Sequence, residues 1–420
     1  MRPLAEQIDF VVGVDTHKHT HTAAVVTPTG GVVAQLTVAA DAGGYARSVA
    51  FARERAPGRR LWAIEGTGSF GAGLTTALLE QGGRVAEIDR PARPARRSGA
   101  KSDALDAVRA AREALARDHL AQPRRRGARE ALRVLLTTRE GLITARTRAI
   151  CHLKALVVNA PEGLRHPLRH LSTSDLLHHC ARLRCAPARP AEHRATLLVL
   201  RMTARRALAL EAEATTLEAE LARLVADVAP VLLSELGVGP ISAAHLLCAW
   251  SHPGRLRSEA AFAALAGVAP IPASSGQVTR HRLNRSGDRQ LNRALHTIVF
   301  VRLRHHPETR AYAARRAAEG KSPRETIRCL KRHLARRLFK LLERVVEPTA
   351  RDREPSVRTA SPVPPITMRR AGSRANQPPR PHSGAGSHPT GRSGAEQPSA
   401  ARLDAPVGAK PPPTPPGPAT

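Results

Sequence analysis

Four acidic side chains within the first 106 residues have the type and spacing expected of a metal site. Asp15 and Glu65 each end a run of apolar residues, and Asp103 and Asp106 lie in the segment KSDALDAVR. A spacing of three residues places Asp103 and Asp106 on one face of a helix. Carboxylate oxygens are the ligands that Mg²⁺ prefers, and divalent ions orient phosphate oxygens in phosphoryl transfer. The acids therefore predict a Mg²⁺ site. The alternative is that they are surface charges, with Asp103 capping a helix after Ser102.

A second candidate site lies in segment 269–295, which reads APIPASSGQVTRHRLNRSGDRQLNRAL. Ser275 directly precedes a glycine and is followed by several arginines, among them Arg280, Arg282 and Arg289. A serine hydroxyl attacks phosphate only when it is activated and cations stabilise the developing charge. Arginine supplies such cations and binds phosphate oxygens in pairs. The segment predicts either a serine nucleophile with its phosphate-binding arginines or a basic loop that only holds DNA.

A third candidate is the turn in segment 232–247, which reads LLSELGVGPISAAHLL. Gly237 and Gly239 separate an apolar run from a predicted helix, as in a helix-hairpin-helix turn. Backbone N–H groups at such a helix start bind phosphate without reading the base sequence. An ordinary Gly-Pro connection between two helices explains the same residues, so both interpretations stay open.

Three histidines follow Asp15 at alternate positions, namely His17, His19 and His21. On a strand, this alternation places them on one face beside the acidic residue. They could tune a metal site, but the sequence favours solvent-facing polar positions.

The elements that must position the acids follow from hydrophobic periodicity. Apolar, β-branched runs predict strands over 8–15, 21–31 and 32–40, with turns at the glycines. Further strands end at Glu65 and near residue 89. The remaining periodicity predicts helices over 44–55, over 71–81 and from about Lys101. The order β-β-β-α-β-α-β-α is typical of a mixed sheet covered by helices, an α/β nuclease-like domain.

The rest of the chain is predicted to be helical except for its C-terminal end. Segments 159–171 and 185–190 are interpreted as connectors, and 267–287 as an interruption of a mostly helical unit. Sixteen of the 34 prolines fall in residues 351–420, which predicts a disordered tail from residue 347. In the middle, apolar residues recur at coiled-coil spacing and predict a helix that pairs with another helix, within the chain or in a dimer: Leu210, Leu217, Leu221, Leu224 and Val228.

The charge balance indicates a polyanionic partner. The chain carries 66 Lys+Arg against 35 Asp+Glu, a formal net charge of +31. Nucleic acid is the first candidate for that partner and an acidic membrane surface is the second. No segment approaches the roughly 18–20 apolar residues that cross a bilayer. The five scattered cysteines indicate reduced thiols, and we expect a cytoplasmic, nucleoid-associated protein.

Taken together, several motifs resemble those of the DEDD transposases of bacterial insertion sequences, relatives of the Piv-type DNA invertases. The resemblance covers roughly residues 9–346 in the family's order and leaves the tail outside. The motifs that carry it are VGVDTHKHTHTAAVV, AIEGTGSFGAGL, KSDALDAVRAAR, LGVGPISAA and GVAPIPASSGQVTRHRLNRSGDRQLNRAL.

This resemblance implies a RuvC/RNase H-like N-terminal domain whose metal-binding acids match Asp15, Glu65, Asp103 and Asp106. It also implies a C-terminal domain whose serine attacks DNA and forms a covalent link; Ser275 fits by position and Ser274 is the neighbouring alternative. Further implied are a structured non-coding guide RNA, donor and target DNA, and a homo-oligomer, dimer or tetramer. The expected architecture is α/β plus all-α: a mixed-sheet domain (8–122), a coiled-coil-like helical region (127–228), a mostly helical transposase domain (229–346) and the tail (347–420).

We therefore expect a transposase that cuts and rejoins DNA through a serine nucleophile, assisted by a divalent metal. Two rival interpretations remain. A metal-dependent Holliday-junction-type nuclease would use the four acids with water as nucleophile, so that Ser275 would be dispensable. A non-catalytic nucleic-acid-binding protein would bind in a strongly salt-dependent way and would be indifferent to loss of the carboxylates.

Overall fold

The computed structural model describes residues 3–88, 102–184, 190–273 and 281–345. Ser274, Ser275, Arg280 and the tail from residue 347 lie outside the described residues.

The strands are β1 (Phe10–Thr16), β2 (Thr20–Val26), β3 (Val32–Ala39), β4 (Arg60–Glu65), β5 (Arg84–Ile88), β6 (Ile271–Pro272) and β7 (His281–Arg282). The helices are α1 (Leu4–Gln7), α2 (Ala42–Arg55), α3 (Ala72–Glu80), α4 (Asp103–Leu115), α5 (Ala128–Val158), α6 (Glu162–Leu168), α7 (Thr173–Ala181), α8 (Ala191–Val228), α9 (Pro230–Leu233), α10 (Pro240–Trp250), α11 (Glu259–Leu265), α12 (Arg289–His305), α13 (Pro307–Ala318) and α14 (Pro323–Val345).

A five-stranded mixed sheet organises the N-terminal part, with strand order β3-β2-β1-β4-β5. The first three strands pair antiparallel, whereas β4 joins β1 in parallel and β5 joins β4 in parallel. Because β1 is the central strand, it is buried along almost its whole length. The carboxyl ends of β1, β4 and β5 therefore meet at one edge of the sheet.

Helix α4 covers one face of this sheet, and Gly13 allows it to approach closely. A Cβ atom on Gly13 would lie 2.0 Å from the Ala107 carbonyl oxygen and 2.7 Å from the Ala111 nitrogen. Since no side chain fits in that space, only glycine permits the contact between β1 and α4. This close approach brings the first turn of α4 to the edge where β1 ends.

Alternation along the strands sorts their residues between two cores. Val11 and Ala63 pack with α4 on one face, and Val12 and Ile64 pack on the other face in the core that α2 and α3 cover. Neighbouring residues of a strand point to opposite faces. Asp15 on β1 and Glu65 on β4 consequently belong to the face that α4 covers.

The long helices α5 and α8 pair within the chain. Arg139 pairs with Glu218 at 2.6 Å and Arg146 pairs with Glu211 at 2.9 Å, so the two helices run antiparallel. Leu221 is fully buried between α8 and the neighbouring helices. The predicted helical middle is confirmed, and α5 supplies a partner for its apolar seam.

One predicted connector is wrong. Within segment 159–171 the chain forms α6, which begins after Pro161 and contains Pro167. Leu164 and Leu168, four residues apart, are both buried on the same side of this helix. Burial of the two leucines stabilises this helix although Pro167 lies within it. Most of the other predicted connector, 185–190, lies outside the described residues.

The described C-terminal part is a helical assembly of α9 to α14 around one apolar core. Phe262, Ile298 and Leu338 are fully buried there, and Leu132 joins them from α5. The predicted interruption between helices is present: a two-residue ribbon of β6 and β7 lies between α11 and α12. The mixed α/β sheet with a largely helical remainder confirms the predicted fold class. The domain boundaries stay a prediction.

Within the described ranges no helix combines the length and apolar character needed to cross a membrane. The longest, α8, spans 38 residues but interrupts its apolar positions with charged ones.

Candidate metal centre and basic cavity

Asp15 lies at the carboxyl end of β1, where the sheet holds it almost out of solvent. Its side chain is 11% exposed. The next residue, Thr16, donates a hydrogen bond from Oγ1 to the Glu65 carbonyl oxygen at 2.8 Å, which ties the end of β1 to the end of β4. Asp15 is thus a carboxylate on a rigid, buried strand.

Asp103 and Asp106 occupy the first turn of α4. Ser102 caps this helix by accepting a hydrogen bond from the Leu105 backbone N–H at 3.3 Å. Because Ser102 already fills the capping role, the alternative in which Asp103 is the cap is wrong. Acidic groups are also stabilised at a helix N-terminus by its partial positive charge. Asp106 forms an ion pair with Arg109 at 2.6 Å.

His17 lies between the carboxylates of Asp15 and Asp103. Its Nε2 is 3.1 Å from Asp15 Oδ2 and 3.3 Å from Asp103 Oδ1. Together the three residues offer ligand atoms that all lie within 4.8 Å of one another. The sequence favoured solvent-facing positions for the histidines. His17 is 46% exposed but contacts both acids, whereas His21 on β2 is buried at 1% exposure, so the expectation is wrong for His21. The position of His17 two residues after Asp15 was the available indication.

The surroundings of Asp15 make its side chain harder to ionise. Burial raises the pKa of the Asp15 carboxyl above its usual range, and the nearby charges of Asp103 and Asp106 raise it further, whereas His17 opposes the shift. A buried carboxylate beside like charges is stabilised by a cation among them. The cluster is therefore electrostatically prepared for a positive ion.

The fourth predicted acid, Glu65, ends β4 and is half-buried. It belongs to the same face and the same edge of the sheet as Asp15, because β4 runs parallel to β1 in register Val14 to Ile64. The described cluster that brings ligand atoms together contains Asp15, His17 and Asp103. Glu65 and Asp106 are neighbours of that cluster by position on the sheet edge and on the first turn of α4.

A cavity of about 670 Å³ lies in the C-terminal part, beside the ribbon of β6 and β7. Two predicted phosphate-binding residues, Arg282 and Arg289, line it. Asp288 is the acidic residue among its described lining, and it caps α12 by accepting hydrogen bonds from the backbone N–H groups of Gln290 and Leu291 at 2.9 and 3.0 Å. The basic lining residues are Arg282, Arg285, Arg289, Arg293, Arg328, Lys331 and Arg332.

Two chain segments cross tightly to form this cavity. Gly287 has φ +111°, and a Cβ atom there would lie 2.7 Å from the Leu265 carbonyl oxygen. The Asp288 backbone N–H donates to that same oxygen at 2.7 Å. Glycine at 287 therefore allows the segment after α11 to pack against the start of α12.

The predicted turn at Gly237 and Gly239 lies between α9 and α10. Gly237 has φ +85°, and Gly239 is the exposed residue directly before α10. The backbone N–H groups at the start of α10 thus follow an open glycine, as the helix-hairpin-helix interpretation requires. DNA contact at this turn stays a prediction.

Comparison with known proteins identifies the class. Residues 12–160 match the family model of the DEDD transposases of IS110, described as "Transposase". Residues 229–314 match the model described as "Transposase IS116/IS110/IS902 family". The chain belongs to the IS110 family of transposases. The IS110 family model spans the sheet and the cluster of Asp15, His17 and Asp103, and the second model spans most of the residues that line the cavity.

Two curated proteins are similar to this IS110-family chain. The insertion element IS900 uncharacterized 42 kDa protein of Mycobacterium paratuberculosis is 27% identical over 378 residues, covering 79% of this chain and 94% of that protein. The insertion element IS110 uncharacterized 43.6 kDa protein of Streptomyces coelicolor is 33% identical over 137 residues, 32% of this chain and 34% of that protein. Membership of the IS110 family confirms the predicted resemblance, implies a divalent metal and makes DNA the partner.

Proposed function

We propose that this IS110-family transposase cuts DNA at the sheet edge, where Asp15, Glu65, Asp103 and Asp106 hold Mg²⁺ in a RuvC-like arrangement. The observation that carries the proposal is the convergence of Asp15 and Asp103 on His17, at 3.1 and 3.3 Å, in a chain of net charge +31. Grouped acids are costly unless a cation joins them. Their retention in so basic a chain supports a metal-binding role.

The donor chemistry fits a hard divalent cation. Carboxylate oxygens from a strand end and from a helix start are the ligands that Mg²⁺ takes, usually together with water and phosphate oxygens. Bound there, the ion would polarise a phosphate oxygen and stabilise the charge that develops at phosphorus. Asp15 would be the anchoring ligand because its burial leaves it least free to move. Asp103 and Asp106 would supply further carboxylate oxygens from the first turn of α4.

We further propose that Ser275 is the nucleophile. In this step the serine oxygen bonds to phosphorus, the bond from phosphorus to the leaving deoxyribose oxygen breaks, and the serine proton passes to a base. The name of the first family model refers to the acids, and neither model is named for a serine. Support comes from the basic cavity that Arg282 and Arg289 line, since His281, the first described residue after segment 274–280, also lines it. Such cations stabilise charge on a pentavalent phosphate.

Two further parts of the proposal come from the resemblance. A structured RNA from the same element would pair with donor and target DNA. Subunits would assemble into a dimer or tetramer in which the acids of one subunit act with the serine of another. The antiparallel pair of α5 and α8 is the element we assign to that assembly.

A covalent-trapping assay tests the serine step. The full chain is mixed with Mg²⁺, RNA from the flanking element, and labelled donor and target DNA, and the products are separated on a denaturing gel. We compare wild type with Ser275→Ala, Ser274→Ala and Asp15→Ala. A DNA–protein adduct that disappears in Ser275→Ala, persists in Ser274→Ala and weakens in Asp15→Ala supports the proposal.

The other outcomes separate the rival functions. Cleaved DNA without an adduct, unchanged by Ser275→Ala but lost in Asp15→Ala, overturns the serine step and leaves a metal-dependent nuclease. DNA binding that persists without cleavage in wild type, and is equal in Asp15→Ala, points to the non-catalytic binding protein. Omitting the RNA from the reaction tests the guide separately, since its loss is expected to abolish the adduct.

A further inference from the structure

Helix α14 contributes basic side chains to the C-terminal cavity that neither the motifs nor the family match assigns. Arg328, Lys331 and Arg332 line the cavity of about 670 Å³. The matching family model ends at residue 314, and α14 begins at Pro323. A spacing of three and four residues places all three side chains on one face of the helix.

Basic residues in the later turns of the same helix have a different role. Arg337 pairs with Glu235 at 2.8 Å, Lys340 pairs with Glu259 at 3.2 Å, and Arg336 also pairs with Glu259. Within the described part of the chain, no carboxylate pairs with the three residues that face the cavity. One helix thus carries cations that are neutralised internally in its later turns and, before them, cations whose charges are left for an external anion.

Lys331 is held in place by a hydrogen-bonded chain. Its Nζ donates to Asn292 Oδ1 at 2.8 Å, and Asn292 Nδ2 donates to the Ala266 carbonyl oxygen at 2.7 Å. An ammonium group has three donors, so donors remain beyond the bond to Asn292. Burial lowers the pKa of Lys331, and the adjacent Arg328 lowers it further. An anion in the cavity would relieve both effects.

The size and charge of the cavity define the ligand class. Pockets of about 300–1,000 Å³ hold ligands larger than a single phosphate. The acidic residue in the described lining, Asp288, caps α12 by accepting hydrogen bonds from two backbone N–H groups. We propose that Arg328, Lys331 and Arg332 bind the phosphodiester backbone of one DNA strand in this cavity, with Asn292 as the residue that positions Lys331. The proposal rests on the proposed function for the choice of DNA as the polyanion.

The test is the salt dependence of DNA binding by the full chain. Dissociation constants for a labelled DNA duplex are measured by fluorescence anisotropy at several salt concentrations. The cavity variant is Arg328→Gln, Lys331→Gln and Arg332→Gln combined. Its charge-matched control is Arg304→Gln, Arg310→Gln and Arg344→Gln combined, because these exposed arginines of α12, α13 and α14 do not line the cavity.

Each phosphate contact contributes about 0.9 to the slope of log affinity against log salt. We expect the cavity variant to lower that slope by about 2 to 3 and the control to lower it by less than about 1. Equal slopes for the two variants overturn the proposal. Loss of RNA binding with unchanged DNA binding, measured with a duplex of the same sequence, overturns the assignment to DNA.

Two further variants protect the test against a folding defect. Arg328→Gln with Arg332→Gln removes two exposed side chains for which the described residues provide no ion pair, so this variant is expected to fold and to lower the slope by about 2. Lys331→Arg keeps the charge and is expected to retain the wild-type slope, whereas a purely structural lysine would not tolerate the change. Mg²⁺-dependent cleavage by wild type is assayed alongside. If the cavity variant lowers the slope but wild type does not cleave DNA, only the proposed function is overturned. If wild type cleaves DNA but the cavity variant keeps the wild-type slope, only this inference is overturned.

Discussion

The acidic site and the basic cavity are built on opposite principles. Asp15 and Asp103 gather like charges on a rigid sheet edge, with a single imidazole between them. The cavity gathers cations on loops and helices. Lys331 is held by Asn292, and among the described residues no carboxylate forms an ion pair with Arg328, Lys331 or Arg332. In both places the unbalanced charge is an unfavourable feature of the free protein. We therefore expect each region to bind the opposite ion, a metal cation in one and, as proposed above, a phosphodiester in the other.

The same residue types have a different role elsewhere in the molecule. Glu235 accepts hydrogen bonds from Arg302 and Arg337, and its side chain is 13% exposed. There an acid and its arginines neutralise one another and join the turn after α9 to α12 and α14. An acid at the sheet edge is therefore expected to matter for activity, and an acid in the C-terminal core is expected to matter for stability.

The largest effect is expected from Asp15→Asn. Removing the anchoring charge should lower the rate of Mg²⁺-dependent DNA cleavage by about 10³-fold or more, since metal stabilisation of the reacting phosphate is worth several kcal/mol. The melting temperature should not fall, because burial and neighbouring acids already disfavour the charged form of Asp15. Glu113→Gln on α4 is the matched control and should cleave DNA at nearly the wild-type rate. A large fall in the melting temperature of Asp15→Asn would show that Asp15, like Glu235, stabilises the fold, and would contradict the contrast between the two acids.

Gly13→Ala tests how the sheet brings the acids together. The added methyl group would lie 2.0 Å from the Ala107 carbonyl oxygen, so α4 must move away from β1. We expect a loss of about 3 kcal/mol in the free energy of unfolding, together with weaker metal binding. Gly141→Ala in α5 is the control: nothing lies within 4 Å of its Cβ position, and the change should stabilise the protein by about 0.5–1 kcal/mol. Unchanged metal binding in Gly13→Ala would show that the site does not need the close approach of α4.

Glu235→Gln tests the expectation that an acid in the C-terminal core contributes to stability. Hydrogen bonds from Arg337 and Arg302, with their charges, hold the pKa of the Glu235 carboxyl below its usual range. The charged form therefore stabilises the fold at neutral pH, and this contribution is lost as the pH falls through the lowered pKa. We expect a cost of about 2 kcal/mol at pH 7 that shrinks below about pH 4, measured by urea unfolding. A cost that is independent of pH would mean that packing, and not charge, explains the effect.

The sequence was sufficient to predict the sheet region, because its signals are local. The strands that end at Asp15 and Glu65 follow from short apolar runs, and the helix that carries Asp103 and Asp106 follows from their spacing. The contribution of His17 was underrated because alternation along a strand gives a face but not a contact.

Features that depend on distant residues were missed. Lys331 reaches Asn292 across 39 residues, and nothing in the local pattern of α14 distinguishes its cavity-facing cations from those that pair with Glu235 and Glu259. The sequence also left the partner of α8 open, because an apolar seam has the same periodicity whether the partner helix lies in the same chain or in another subunit. Segment 159–171 was interpreted as a connector, whereas burial of Leu164 and Leu168 stabilises helix α6 there.

The most direct test of the account is a calorimetric titration of the full chain with Mn²⁺, in place of Mg²⁺, in the absence of DNA. Wild type and Glu113→Gln are expected to bind the ion with equal affinity, whereas Asp15→Asn and Asp103→Asn should each bind it at least about tenfold more weakly. Equal Mn²⁺ affinity in all four proteins would contradict the central claim that these carboxylates form the metal centre of the transposase.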